Sequence, residues 1–324
     1  MGDDSLITPG LHFMINDPQV AQRRMGLTAA LLSYLCWGFM PLYWNLLQEA
    51  DSFEVIAHRI CWSLIFIPIV IALRGKWGSS WAAAKSVIQQ PGKVTVLALA
   101  AFFAGANWWI NVIAVLTDHV VELGIGTFLT PLISVSAGVI FFREKLSKLK
   151  TTGVLCAFAG VLIMIVSFGH FPWISLGVSM TWGIYGTLKK KLMLDAWVSI
   201  VLEGLLMLPF ALGYILWLHS QGLGHFLPTV MPGLSLALVG TGIVASFPLI
   251  FFTIGAMNLP MNVLGFCQYL APILTLMLGV LFFGEPFGWT QLLPLLFIWS
   301  GILIFLCAEV REANIRSGGR AATH

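Results

Sequence analysis

Arg59 and Glu203 stand inside long apolar runs of this chain, where a charge is costly and faces either a cavity or a partner. Arg59, next to His58, lies about 9 Å from the nearer end of its run at 1.5 Å per residue. A guanidinium does not shed its proton there, so it needs an acceptor. The nearest acids in depth are Glu122 and Asp118, and the spacing predicts an Arg59–Glu122 pair or a shared network. Three roles fit such a pair. It is a latch that breaks when one side opens, or a site where Arg59 takes a substrate carboxylate, or a permanent structural contact. Glu203 lies about 10 Å from the opposite end of its run, with no basic residue of the runs expected at that depth. It is read as a proton-coupling group, as a site for a substrate amine, or as a protonated side chain bonded to a kinked backbone.

Asn107 and Asn111 are four apart, so they share one helix face, with Trp108 beside them. Amides next to an aromatic ring suit a cavity for an amphipathic molecule; they equally suit interhelical hydrogen bonding. Trp62, Tyr185, Gln268 and Tyr269 are further candidates for a cavity lining. His119 and Glu122 are three apart without a third ligand, so no metal site is expected. Ser33, Ser63 and Ser179 lack a His/Asp arrangement, and no glycine-rich loop with a lysine is present to cradle phosphates. No catalytic residue and no cofactor are expected beyond a coupling proton.

The elements that must position these residues are membrane-spanning. Hydrophobic residues are 58% of the 324 and charged residues 10%, against about 25% charged in a soluble domain. So few charges do not coat a water-soluble surface, and lipid must be the solvent. No basic tail or dense basic patch points to nucleic acid. The five cysteines, Cys36, Cys61, Cys156, Cys267 and Cys307, lie in apolar stretches without metal-ligand spacing and read as packing residues. Residues 1–24 carry Asp3, Asp4 and Asp17 and lack the early basic region of a signal peptide.

A spanning helix needs about 20 apolar residues. Ten are expected, at 26–48, 54–73, 93–115, 119–142, 149–167, 172–189, 196–218, 231–256, 260–283 and 289–308. With the N-terminus inside, sixteen of the seventeen Lys and Arg residues fall in inward segments, and the remaining one is Arg59. The positive-inside rule then places both termini in the cytoplasm. Residues 74–92 are the one long inward connection. Trp77 and Trp81, flanked by Lys76 and Lys85, suit an amphipathic turn on the membrane surface or a Trp-anchored loop.

The chain repeats itself. Residues 123–144 match 264–285 at an offset of 141, with nine identities in 22 that include Pro131/Pro272, Gly138/Gly279 and Glu144/Glu285. Trp37-Gly38 matches Trp182-Gly183 at 145, which sets Glu203 at the repeat position of His58. Two copies of a five-helix unit must cross the membrane in opposite senses, because five is odd. The expected fold is therefore an all-α membrane protein of ten helices in two inverted five-helix repeats, an architecture of many secondary transporters. The expected organisation is an arm at 1–24, repeats at 25–168 and 169–308, and a tail at 309–324.

Over residues 25–308 the chain resembles the RarD branch of the EamA-like drug/metabolite transporters. The resemblance rests on Ala57-His58-Arg59 through Trp62-Ser63, Ala106-Asn107-Trp108, His119 to Glu122, Glu144-Lys145-Leu146, Gly183-Ile184-Tyr185-Gly186 with Lys189-Lys190, Glu203 with Leu208-Pro209, and Gly265 to Pro272 with Gly284 to Phe287. It implies a ten-helix permease of the bacterial inner membrane. Members are often labelled chloramphenicol-sensitivity proteins, and relatives export amino acids and other metabolites. Thr127 and Thr130 stand where Tyr and Asn are expected, which implies a different specificity if those positions touch substrate.

The expected function is secondary transport of a small polar or zwitterionic molecule by alternating access, in the outward direction. Arg59 and Glu122 would form the outer network, Glu203 the inner acidic site, and Asn107, Trp108, Asn111, Tyr185 and Gln268 the lining. The expected partners are the lipid bilayer and a small-molecule substrate. Ten helices suffice for a monomer to enclose a pathway, and a homodimer is compatible with it. The rival readings are a membrane sensor or scaffold, which needs partner-binding loops, and a membrane enzyme, which needs a clustered nucleophile or metal.

Overall fold

The apolar runs fold as helices. The computed structural model describes residues 18–117, 119–169, 171–226, 231–282, 284 and 288–321, and no strand occurs among them. The helices are α1 (Pro18–Trp44), α2 (Ser52–Leu73), α3 (Trp77–Ile88), α4 (Pro91–Leu116), α5 (Val120–Phe142), α6 (Lys148–Phe168), α7 (Trp173–Leu192), α8 (Ala196–Ser220), α9 (Pro232–Asn258), α10 (Met261–Gln268), α11 (Leu270–Leu281) and α12 (Trp289–Ala321). A 3₁₀ turn, Asn45–Leu47, follows α1. Asp118 and Glu285 to Phe287, which enter the sequence reading, lie outside the described residues, as does most of the N-terminal arm.

Nine stretches among the described residues are long and apolar enough to cross a membrane, with α10 and α11 together making one of them. The sequence reading expects ten. The stretch that falls short is α7, whose last turn holds Lys189, Lys190 and Lys191. The helix continues through these lysines to Leu192 and buries Lys189, so a run read as loop charge belongs to the bundle.

Local chemistry sets the helix ends. The Asp51 carboxylate accepts from the backbone N–H of Phe53 and Glu54, and that of Asp195 accepts from Trp197 and Val198. Both satisfy donors that a helix start leaves unpaired. α5 ends on Arg143 at φ 52°, in the left-handed region, and Gly284, 141 residues later, has φ 67°. The span expected at 260–283 is two helices that meet at Tyr269. Pro272 lacks the N–H that would bond the Gln268 carbonyl, and the ladder breaks there. Pro131, its repeat mate, leaves α5 continuous over Val120–Phe142; its carbonyl faces α10, where a Cβ on Gly265 would stand 2.8 Å from it.

The exterior is apolar: Leu73, Phe102, Phe210 and Leu216 are among the most exposed side chains. The interior carries the hydroxyls of Ser33, Ser134, Ser175, Ser199 and Thr241, all buried. With no water in the hydrocarbon region, these groups must bond within the protein. Ser33 donates to the Pro248 carbonyl at 2.7 Å and Thr241 to the Leu238 carbonyl at 2.5 Å.

Helix packing follows one scheme. α1 lies on α9, α10 and α11; α2 on α8 and α9; α4 on α7 and α8; α5 on α7 and α10; α6 on α12. A Cβ on Gly153 would stand 2.8 Å from the Gly301 carbonyl oxygen, and one on Gly160 2.5 Å from that of Pro294. α6 and α12 therefore touch backbone to backbone, as small residues allow. α3 covers the lysine-rich end, with Val87 buried and Trp77 and Trp81 exposed.

Gly301→Val is expected to wedge α6 from α12 and cost about 1–3 kcal/mol. Thermal unfolding in detergent should show a lower midpoint. Gly233→Ala, where nothing lies within 4 Å of the added carbon, should leave the midpoint where it is.

Candidate functional site

The densest buried polar cluster joins α7 to α8. Tyr185 and Lys189 are four apart on α7, and Ser199 and Glu203 four apart on α8, so each pair presents one helix face to the other. The Lys189 Nζ donates to Glu203 Oε1 at 2.6 Å and to Ser199 Oγ at 2.6 Å. Ser199 Oγ donates to the same Oε1 at 2.8 Å, and the Tyr185 hydroxyl donates to Oε2 at 3.1 Å. The Lys189 side chain is fully buried and that of Glu203 is 7% exposed. Glu203 is therefore not the unpaired carboxylate that the sequence reading expects. Its counter-ion was counted among loop lysines, because three adjacent lysines mimic a helix exit.

Tyr185 leads on to an aromatic core. Its ring stacks on Phe252 at 5.8 Å, and Trp182 lies 5.1 Å from each of them. Trp182 also meets Trp37 edge to face at 5.2 Å.

A second cluster occupies the opposite end, around α2. Glu54, His58 and Trp62 recur every four residues on one face. Trp62 Nε1 donates to His58 Nδ1 at 3.3 Å. Glu54, fully buried, accepts the His225 backbone N–H at 2.8 Å and meets His225 Nδ1 at 2.8 Å. Phe226 follows, with its ring 4.7 Å from His58 and 5.9 Å from Trp62. The segment after α8 is thereby strapped across the end of α2, and Tyr214 adds a bond to Asp51 at 2.7 Å.

Arg59 points elsewhere. Its guanidinium carbon lies 3.5 Å from the Trp108 ring centroid, and Nη2 is buried without a hydrogen-bond partner. The expected Arg59–Glu122 pair does not form. Glu122 Oε1 instead accepts the Ile174 N–H at 2.6 Å, and its carbonyl accepts from Ser175 Oγ at 2.5 Å. The start of α7 has no capping side chain of its own, and a helix N-terminus attracts a carboxylate through its free N–H groups and its dipole. Depth alone did not reveal this competitor.

Asn107 donates through Nδ2 to the Val178 carbonyl at 2.9 Å and to Thr181 Oγ1 at 3.0 Å, which ties α4 to α7. Asn111 donates back to the Asn107 carbonyl at 2.7 Å. Of the two readings for this ladder, interhelical bonding is the one these contacts satisfy. Gln268 accepts from Ser134 at 2.9 Å. The Tyr269 hydroxyl is buried and unpartnered. His119 is exposed and bonded to Thr117, apart from the buried clusters.

Glu144 is a functional candidate that the sequence reading used as a repeat marker and in the family resemblance, without a role. It accepts the N–H groups of Met261 and Asn262 at 2.6 and 2.9 Å and meets Lys190 at 3.4 Å. It thus holds the start of α10 against the ends of α5 and α7. Its recurrence as Glu285 at the same offset of 141 was the available signal.

Glu203→Gln should leave Lys189 buried without its anion and destabilise the fold by about 3–5 kcal/mol. Adding Lys189→Met should restore much of that stability in thermal unfolding. A single variant as stable as the parent would contradict the pairing.

Comparison with known proteins is consistent with a membrane bundle of this kind. The sequence profile of the EamA-like transporter family matches twice, at residues 24–166 and 172–307. The chain is 33% identical to the uncharacterized transporter YojE of Bacillus subtilis over 90% of its length and 97% of that protein. It is 33% identical to protein RarD of Escherichia coli K12 over 88% of its length and 95% of that protein. A crystal structure of a protein 19% identical superposes with a TM-score of 0.65, covering 88% of this chain and 97% of that one.

Proposed function

The chain belongs to the EamA-like transporter family as a RarD-type permease, and from that premise we propose a ten-helix secondary transporter built of two inverted five-helix repeats. It moves small polar or zwitterionic organic metabolites, amino acids among them, by alternating access and in the outward direction. It is a carrier rather than an enzyme. The bacterial inner membrane, cytoplasmic termini and a working monomer are parts of the same reading.

One observation carries it: the most extensive helix contacts map onto one another when each helix is exchanged for its repeat mate, although α5–α6 and α7–α9 have no such counterpart among the described residues. Taking α10 and α11 as one span and leaving out the surface helix α3, the contact of α1 with α9 corresponds to that of α4 with α7. The contact of α1 with α10 and α11 corresponds to that of α5 with α7, and α2 with α9 to α4 with α8. The pairs α2–α8, α5–α10 and α6–α12 map onto themselves. Single residues follow. A Cβ on Gly38 would stand 2.6 Å from Leu274, and one on Gly183 2.5 Å from Ile133; Leu274 and Ile133 are themselves 141 apart. Trp37 and Trp182, also mates, touch each other. The capping residues Asp51 and Asp195 are 144 apart, and that offset sets Glu203 opposite Arg59 rather than His58. Two halves related this way can exchange conformations, so that a central site opens to either side in turn. The two closures fit the scheme: Glu144 with Lys190 at the lysine-rich end, and Glu54 with His225 at the other.

A sensor or scaffold would call for partner-binding loops, and the described connections are short. In proteoliposomes, the wild-type chain should give saturable flux of at least one solute in a panel of amino acids, related metabolites and chloramphenicol, tested with and without a pH gradient. The stabilised Lys189→Met/Glu203→Gln variant should lose that flux or its response to the gradient. Flux with an unchanged pH response in the double variant would remove the α7–α8 pair from the mechanism.

A further inference from the structure

Charge balance inside the bundle points to a substrate class. Resting on the transporter reading above, we infer that Arg59 is the anchor for a substrate carboxylate, and that the substrate needs no ammonium group to be recognised. The interior acids of the described residues are already engaged. Glu203 holds Lys189, Glu122 caps α7, Glu54 holds His225, and Glu144 caps α10 and meets Lys190. Among the described interior acids, none is therefore left to receive a substrate amine. Arg59 is the converse case. No acid pairs with it among the described residues, and one of its two terminal nitrogens is buried without an acceptor.

The Trp108 face compensates this cation only in part, since a cation–π contact supplies no hydrogen-bond acceptor. A carboxylate matches what is missing. Its two oxygens fit the guanidinium fork, and the charge it brings cancels the one already there. A bound anion would sit beside the ring of Trp108, whose centroid lies 3.5 Å from the guanidinium carbon. That ring suits a flat or apolar body attached to the carboxylate.

The test uses the full chain, purified in detergent, and matched probes: phenylacetate, phenylalanine, phenethylamine and 2-phenylethanol. Thermal stabilisation and Trp fluorescence report binding. Phenylacetate and phenylalanine should bind, and the amine and the alcohol should bind at least tenfold more weakly. Arg59→Gln should lose the carboxylate preference, while Arg59→Lys keeps part of it. Because the guanidinium has no acid to abandon and gives up only its contact with Trp108, Arg59→Gln should stay folded, with an unliganded midpoint close to the parent's. Equal binding of the amine, carboxylate binding unchanged in Arg59→Gln, or no carboxylate binding by folded protein would overturn the assignment. Flux of neutral or cationic solutes with carboxylates inert would also overturn it, and would leave the transporter reading standing.

Discussion

A charge inside a lipid-facing bundle has to find its counter-charge within the same bundle, and the Lys189–Glu203 contact is where this chain meets that requirement most completely. The two residues come from adjacent helices joined by a short turn, and Ser199 and Tyr185 take up the donors and lone pairs left over. Much of the interior follows from fixing α7 against α8 at this depth. Tyr185 is placed against Phe252, Trp182 comes to face Trp37, and α7 is presented to α4 and α5. Removing one member of such a pair costs more than the pair contributes, because the remaining charge is stranded. That asymmetry makes the contact a structural tie between α7 and α8.

The same rule explains where the acids went. Helix N-termini inside or near the bilayer expose N–H groups that lipid does not satisfy. Glu122 and Glu144 are spent on the starts of α7 and α10, and Asp51 and Asp195 on their own helices. What is left over is Arg59 on its tryptophan. Among the described residues no acid pairs with that guanidinium, and the counter-charge assigned to it above is a substrate carboxylate.

The helical architecture was legible because long apolar runs are a strong signal, and the sequence also repeats Pro131, Gly138 and Glu144 at a constant offset. The site was legible in membership more than in wiring. Arg59, Glu203, Tyr185 and Asn107 were found by the cost of polar groups in lipid. The partners were missed for two physical reasons. A depth estimate does not tell which lysine of Lys189–Lys191 turns inward when the helix continues past the expected exit. Nor does it show that backbone donors compete with side chains for a carboxylate, which is how Glu122 was assigned to Arg59 and went to α7. Glu54 and His225 are 171 residues apart, and no local spacing joins them.

The central claim is that the two ends of the bundle open in alternation about pseudosymmetric halves. Its most direct test is pulsed electron paramagnetic resonance on spin-label pairs, in a background lacking the five native cysteines. One pair, at Glu49 and Gly222, spans the end closed by Glu54 and His225. The other, at Lys145 and Asn258, spans the end closed by Glu144 and Lys190. The account predicts that conditions lengthening one distance shorten the other, as pH or substrate is varied. Two distances that stay fixed, or that lengthen together, would contradict it.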